Sequence, residues 1–206
     1  MAITISGSTG VTYPNGGVDN VAGAGVGTTD TQTLTNKTLG SGLVAGASLI
    51  TSGTAVASTS GTSITFSSIP SWVKRVSIMF VGVSTNGASN LAVQIGPVAG
   101  VETTGYSGCA WTGNTSSAGY TTEWAITGTN SAANVHSGTV FLSLADSATN
   151  TWVMSAVGGG VGINTASVGG GSKAIAGVLS VLRVIGSNTG APVDTFDLGS
   201  INILFE

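Results

Sequence analysis

The stretch "VKRVSIMFVGV" (residues 73–83) is the most strongly patterned part of this chain. In an extended backbone Val76, Ile78 and Phe80 fall on one face, and Met79 and Val81 on the other. β-Branched and aromatic side chains at a period of two form strands. The texture repeats outward in both directions: "TSITFSSI" (62–69), "LAVQI" (91–95), "YSGCAW" (106–111), "TEWAIT" (122–127), "GTVFLSL" (138–144), "TWVMSAV" (151–157), "AIAGVLSVLRVI" (174–185) and "INILF" (201–205). Turn clusters such as "STNGASN", "TGNTSSAG", "GTNSAAN" and "ADSATN" separate them. Many short strands at this spacing predict an all-β fold with a C-terminal antiparallel β-sandwich of jelly-roll-like type, eight or nine strands in all. "GGGVGINTASVGGGS" (158–172) reads either as a long loop or as a glycine-softened strand pair.

Composition agrees. Charged residues make up 6% of the 206, while Gly alone contributes 33, against a charged share of roughly 25% in ordinary domains. Disordered chains are charge-rich and poor in β-branched residues; this one is the reverse. With so few charges, solubility must come from Ser, Thr and Asn, or surface must be covered by other subunits. A net charge of −3 with five basic residues cannot track a phosphate backbone, so no nucleic acid partner is expected. One cysteine, Cys109, excludes an intrachain disulfide framework. "MAITISGSTG" has neither the basic region nor the apolar run of a secretory signal. The chain also has no apolar run of the roughly 18 residues that suggest a membrane span. Synthesis in the cytoplasm without membrane insertion is the expectation.

Aromatic residues divide the chain. All four Trp and all five Phe follow Thr65, and only Tyr13 precedes it. Aromatics supply much of a core's area. Residues 61–206 are therefore expected to be the globular head, and residues 1–60 an extended N-terminal arm without a core of its own. Within the arm, "TTDTQTLTNKTL" (28–39) is rich in threonine, which suits extended backbone. Leu34, Leu39 and Leu43 are its candidate docking contacts.

Catalytic and metal patterns are missing. His136 is the only histidine and has no partner at metal-ligand spacing, so a surface or hydrogen-bonded histidine is expected. No G-x-S-x-G elbow occurs. "GGGSK" (169–173) lacks the order of a phosphate loop. Glu102 and Glu123 can meet between strands, but nothing selects them as a glycosidase pair. No catalytic, cofactor or metal residues are assigned. Cys109, in a strand without basic neighbours, is expected to pack as a small apolar residue. Trp72, between "IP" and a strand, is expected to plug one end of the sandwich. Lys74 and Arg75 beside it are candidates for pairing with an acid of another subunit. Tyr106, Trp111 and Tyr120 flank the "TGNTSSAGY" turn. Rings beside Asn, Ser and Thr suit a sugar, with the ring under its apolar face and amides on its hydroxyls. These three are the candidate receptor or glycan contacts, with core packing as the competing role.

Two blocks carry a family resemblance. "TDTQTLTNKTL" (29–39) resembles the "T-x-T-L-T-N-K-T-L" segment that recurs in tailed-bacteriophage fibre proteins. "IPSWVKRVSIMFVGVSTNGASNLAVQIG" (69–96), "GY" (105–106) and "GSINILFE" (199–206) resemble the C-terminal domain of phage tail-fibre or tail proteins. The resemblance implies a virion protein that is not an enzyme. Residues 1–60 would attach to other virion proteins, and a homotrimeric β-domain would bind a bacterial surface glycan or protein. The length departs from the pattern, because 206 residues leave no room for a long shaft. A short fibre, a capsid-attached head fibre or a decoration protein suits it better. A polysaccharide-degrading tailspike is a third reading, and the scarcity of acids argues against it.

Overall fold

The computed structural model describes residues 4–6, 10–12, 18–19, 50–113, 116–162 and 165–206. The chain separates into two compact units, residues 1–47 and residues 48–206. In the first, β1 (Thr4–Ser6), β2 (Gly10–Thr12) and β3 (Val18–Asp19) pair antiparallel as a small meander. Leu34, Leu39 and Leu43 lie outside the described residues.

The second unit is an antiparallel β-sandwich, and its described residues contain no helix. Its strands are β4 (Thr51–Ser52), β5 (Val56–Ala57), β6 (Ser63–Phe66), β7 (Arg75–Thr85), β8 (Leu91–Gly96), β9 (Ser107–Thr112), β10 (Ser116–Ala118), β11 (Trp124–Ala125), β12 (Val135–Asp146), β13 (Thr151–Val161), β14 (Thr165–Ala174), β15 (Val181–Gly186) and β16 (Phe196–Phe205). The large sheet has the order β10-β9-β14-β13-β12-β7-β16-β4, with β5 also on the free side of β16. The small sheet has the order β11-β8-β15-β6.

The pairing is nested. β7 pairs with β16, β8 with β15, β9 with β14, and β12 with β13. The chain thus runs as a doubled ribbon wound on itself, the organisation of a jelly roll. The β8·β15 portion forms the small sheet with β6 and β11, and the other three pairs share the large sheet.

The period-two reading of residues 73–83 holds in detail. Val76, Ile78 and Phe80 point inward and are buried, whereas Val81 is exposed. They join Leu142 and Ile201 of the large sheet, and Val93, Leu182 and Val184 of the small sheet, in one core. The glycine-rich segment 158–172 resolves as a strand pair, since β13 and β14 are in register from Thr151↔Ala174 to Gly160↔Thr165. At Gly199 the φ of +93° admits glycine. A Cβ there would also lie 2.3 Å from the Gly82 carbonyl oxygen. This glycine lets the β7·β16 ladder shift register between Leu198 and Ser200 without breaking.

Three expectations are corrected. Strands of the head occur before residue 61: β4 and β5 pair with Leu204–Phe205 and Ser200–Ile201 and cover the edge of β16. Pairing by backbone needs no aromatic residue, so the aromatic boundary fell too late. Trp72 is not a core plug. It is 52% exposed and leans on Phe205, with ring centroids 5.9 Å apart. Cys109 is exposed, because β9 turns Ala110 inward and therefore places Cys109 and Trp111 on the outer face.

Candidate functional site

The head has a direction. The chain enters it where Thr51 faces Phe205, which in turn faces Val76. Ser143 faces Arg75 at the same end, and Arg75 forms an ion pair with Glu206. The acid for Arg75 thus comes from its own chain, because β7 and β16 are neighbours. At the other end of β7, Thr85 faces Phe196. Between these ends lie the 11 residues of β7, about 33 Å at roughly 3.3 Å per residue. The far end is built by the segments after β7, β11 and β15.

Asn residues hold these segments together. His136 Nε2 lies 2.9 Å from Asn130 Oδ1, and Asn130 Nδ2 donates to Thr85 Oγ1 at 3.2 Å and to the Ser89 carbonyl at 2.9 Å. Asp194 Oδ2 accepts the Ser89 N–H at 2.7 Å. Asn86 Oδ1 accepts the Thr195 N–H at 2.9 Å. His136 is therefore a buried, hydrogen-bonded histidine, one of the two roles expected for it. Burial holds its imidazole below the ordinary value. The "STNGASN" and "GTNSAAN" segments were legible as turns. Their amides, however, bind across to neighbouring loops, which the turn composition did not reveal.

The three candidate aromatics do not form one surface. Tyr106 is 3% exposed; its hydroxyl accepts the Ile95 N–H at 2.8 Å and contacts the Glu102 carbonyl at 3.0 Å. Its ring packs edge-on against Trp124 at 5.2 Å. Tyr106 is therefore a core residue and is withdrawn as a ligand contact. Tyr120 is half-buried against the Ala110, Ala118 and Ala125 cluster. Its hydroxyl accepts from Asn90 Nδ2 and donates to Asn188 Oδ1, both at 3.0 Å. Trp111 is 46% exposed on the outer face of the large sheet, and its indole N–H is held by the Gly113 carbonyl.

Trp111 opens a row that crosses the outer face. It faces Val168, Val168 faces Val157, Val157 faces Thr139, and Thr139 faces Met79. The next row runs from Cys109 through Gly170 and Ser155 to Phe141. Val157 is 56% exposed, Val168 52% and Phe141 42%. No residue of these two rows is charged; Arg75 and Asp146 lie at the rim. Apolar residues thus face outward across these two rows without interspersed charge, a kind of patch that is uncommon on the surface of a monomeric protein.

Glu102 and Glu123 do not meet as a carboxylate pair. Glu102 binds Lys173, and its other oxygen accepts the Ala176 N–H at 2.7 Å. Glu123 is 1% exposed beside a polar hub in the small sheet. There Gln94 donates to the Thr122 and Gly190 carbonyls at 3.1 and 2.8 Å and accepts from Arg183 Nε at 3.0 Å. Neither Glu123 oxygen closes a hydrogen bond of good geometry. Burial pushes its carboxyl above the ordinary value, although Thr122, Ser187, the Gly190 N–H and the Arg183 charge all favour the ionised form. Among the described residues, no three His, Cys, Asp or Glu side chains gather as a metal site.

The Glu123 carboxyl yields a signed prediction. The folded state holds its proton more tightly than the unfolded chain does. Its stabilising contribution is therefore complete below the unfolded value near 4.5 and is lost as pH rises through the higher folded value. Glu123→Gln is expected to flatten that loss and to raise stability at neutral pH by about 1–2 kcal/mol, by removing a charge that burial disfavours. Urea titrations of both proteins from acid to neutral pH measure it. A variant that is less stable than wild type at pH 7 contradicts the assignment.

Comparison with protein-family models, with curated proteins and with solved structures found no match to this chain.

Proposed function

We propose that this chain is a structural protein of a tailed-phage virion. On this reading it is a short fibre that docks on other virion proteins through its N-terminal segment and presents a trimeric β-sandwich to the host surface. The observation that carries the reading is the direction of the head. Its first strand, β4, enters at one end, where Thr51 faces Phe205, and the loops after β7, β11 and β15 gather at the opposite end of the head. Three further features support it: the resemblance of residues 29–39, 69–96 and 199–206 to fibre proteins, the sparse charge, and an outer sheet face suited to assembly. The function is binding, and several copies acting together multiply a weak contact. The target is a bacterial surface glycan or protein. Of the three candidate aromatics, Trp111 and Tyr120 keep an accessible face.

The same features fit a capsid-attached head fibre or decoration protein, and one experiment separates the two. Antibody raised against the head, imaged on particles of a phage that encodes the chain, is expected to decorate the tail tip. Decoration of the capsid favours the second reading. Undecorated particles overturn both.

A further inference from the structure

Two glycines on the outer face of the large sheet have no explanation among the described residues. Most glycines of β12 to β14 do. A Cβ on Gly138 would lie 2.4 Å from the Gly158 Cα, and one on Gly171 would lie 2.8 Å from the Trp124 ring. At Gly159, in contrast, a Cβ would meet no atom within 4 Å, and at Gly170 only the Met154 carbonyl oxygen, at 3.6 Å. Neither position has a positive φ. Glycine inside a strand costs roughly 0.5–1 kcal/mol relative to alanine. A strand glycine that its own fold does not require marks close approach by another backbone or a ligand.

One position borders the uncharged rows and the other lies in one of them. Gly159 lies between Ser137 and Ala166, next to the row of Val157, and Gly170 lies between Cys109 and Ser155. We infer that copies of this chain pack against one another through this face, with Gly159 and Gly170 as the points of closest approach. The inference rests on the assembly part of the fibre reading and names its surface. Three arguments select another copy as the occupant. Five strands, β9, β14, β13, β12 and β7, run from 6 to 12 residues; at about ten residues on average, about 4.8 Å apart and roughly 3.3 Å per residue, they make a face of about 800 Å². That matches the roughly 800 Å² that each partner gives to a stable interface. The two central rows carry no charge, so they meet no like-charge repulsion from their own copy, and they offer nothing for a charged partner to recognise. Finally, the apolar residues lie beside empty glycine positions, so one face offers both the protrusions and the hollows that a heterologous contact closing around a threefold axis uses.

The test uses the full chain and its only cysteine. Cys109 sits on the inferred interface and is exposed in the single chain. Wild type at about 10 µM is expected to sediment as an oligomer and to react slowly with a maleimide dye. The double variant Gly159→Gln, Gly170→Gln adds side chains where the chain itself leaves room. It is expected to stay folded, to dissociate at a concentration roughly tenfold higher or more, and to label fast. Near-UV circular dichroism of the buried Trp124 and Trp152 checks folding. If the double variant fails to fold, Val168→Lys, at a 52% exposed position, makes the same test. A wild type that is monomeric overturns the inference together with the assembly part of the fibre reading, whatever its labelling rate. A wild-type oligomer that the folded variants leave intact overturns the inference alone. Dissociation of the variants combined with undecorated phage particles keeps the interface and removes the fibre reading.

Discussion

Trp124→Ala is expected to destabilise the head by about 3–5 kcal/mol, the range for emptying a large buried aromatic site. Trp124 is 1% exposed and packs edge-on against Tyr106. Its indole N–H points to the Ser172 carbonyl at 3.3 Å. Gly171 provides the floor, since any side chain there would collide with the ring. The site cannot collapse easily, because Tyr106 is itself tied through its hydroxyl to Ile95 and Glu102. Domains are stable by only about 5–15 kcal/mol, so this one change removes a large share of the whole. Trp72→Ala is the internal control. Trp72 is 52% exposed and touches Phe205 at one end of the sandwich, and its loss is expected to cost about 1 kcal/mol. Urea unfolding of the two variants gives both values. Equal losses would show that the burial of Trp124 does not govern stability.

The second large effect belongs to Glu102 and Lys173. Lys173 is 5% exposed, a rare condition for an ammonium group. It donates to Glu102 and, at 2.7 Å, to the Ala174 carbonyl, and lies 5.5 Å from the centre of the Tyr106 ring. Glu102→Gln leaves that buried charge without its counter-ion and is expected to cost about 3–5 kcal/mol. The double variant Glu102→Gln, Lys173→Met removes the charge as well and is expected to recover most of the loss, because a well-packed apolar pair substitutes for a buried ion pair at little cost. Acid repeats the first experiment chemically. Burial by itself would raise the Glu102 carboxyl, but the Lys173 hydrogen bond and charge and the Ala176 N–H outweigh it and hold the group below its ordinary value. Its contribution is therefore complete above the unfolded value near 4.5 and is lost as pH falls through the lower folded value. Urea midpoints for wild type and the two variants at neutral and acid pH measure both effects. A double variant as unstable as Glu102→Gln would show that the pair is not the source.

The two carboxyls were indistinguishable in the sequence. Glu102 in "GVETTG" and Glu123 in "TTEWAI" have similar threonine-flanked surroundings. Folding brings Lys173 to one, from 71 residues away, and buries the other beside Gln94, where the loss of water outweighs its polar neighbours. The partner of a charge is a long-range property, and neither spacing nor composition carries it. The same holds for Tyr106 and Trp111. Both stand in one strand-like stretch beside one turn, yet the first lies beneath Trp124 and the second points to solvent. Ala110 signalled the inward position, because the period of two around it turns Cys109 and Trp111 outward together.

The chain's local pattern was enough to determine the fold class and most of the strands. Alternation in 73–83 and its repeats reports which side chains leave water, and that depends only on the period of an extended backbone. The jelly-roll-like winding was within reach for the same reason, as many short antiparallel strands separated by tight turns have few other ways to bury one face each. Only the tertiary structure decided that β4 and β5 join the head, which loops share its far end, and that the central rows of the large sheet's outer face carry apolar residues and no charge. Those facts depend on which strands become neighbours. A valine at an outward position looks the same in the sequence whether the next strand offers lysine or another valine. Here β9, β14, β13 and β12 offer Trp111, Val168, Val157 and Thr139 in one row, and that juxtaposition turns scattered apolar residues into a surface.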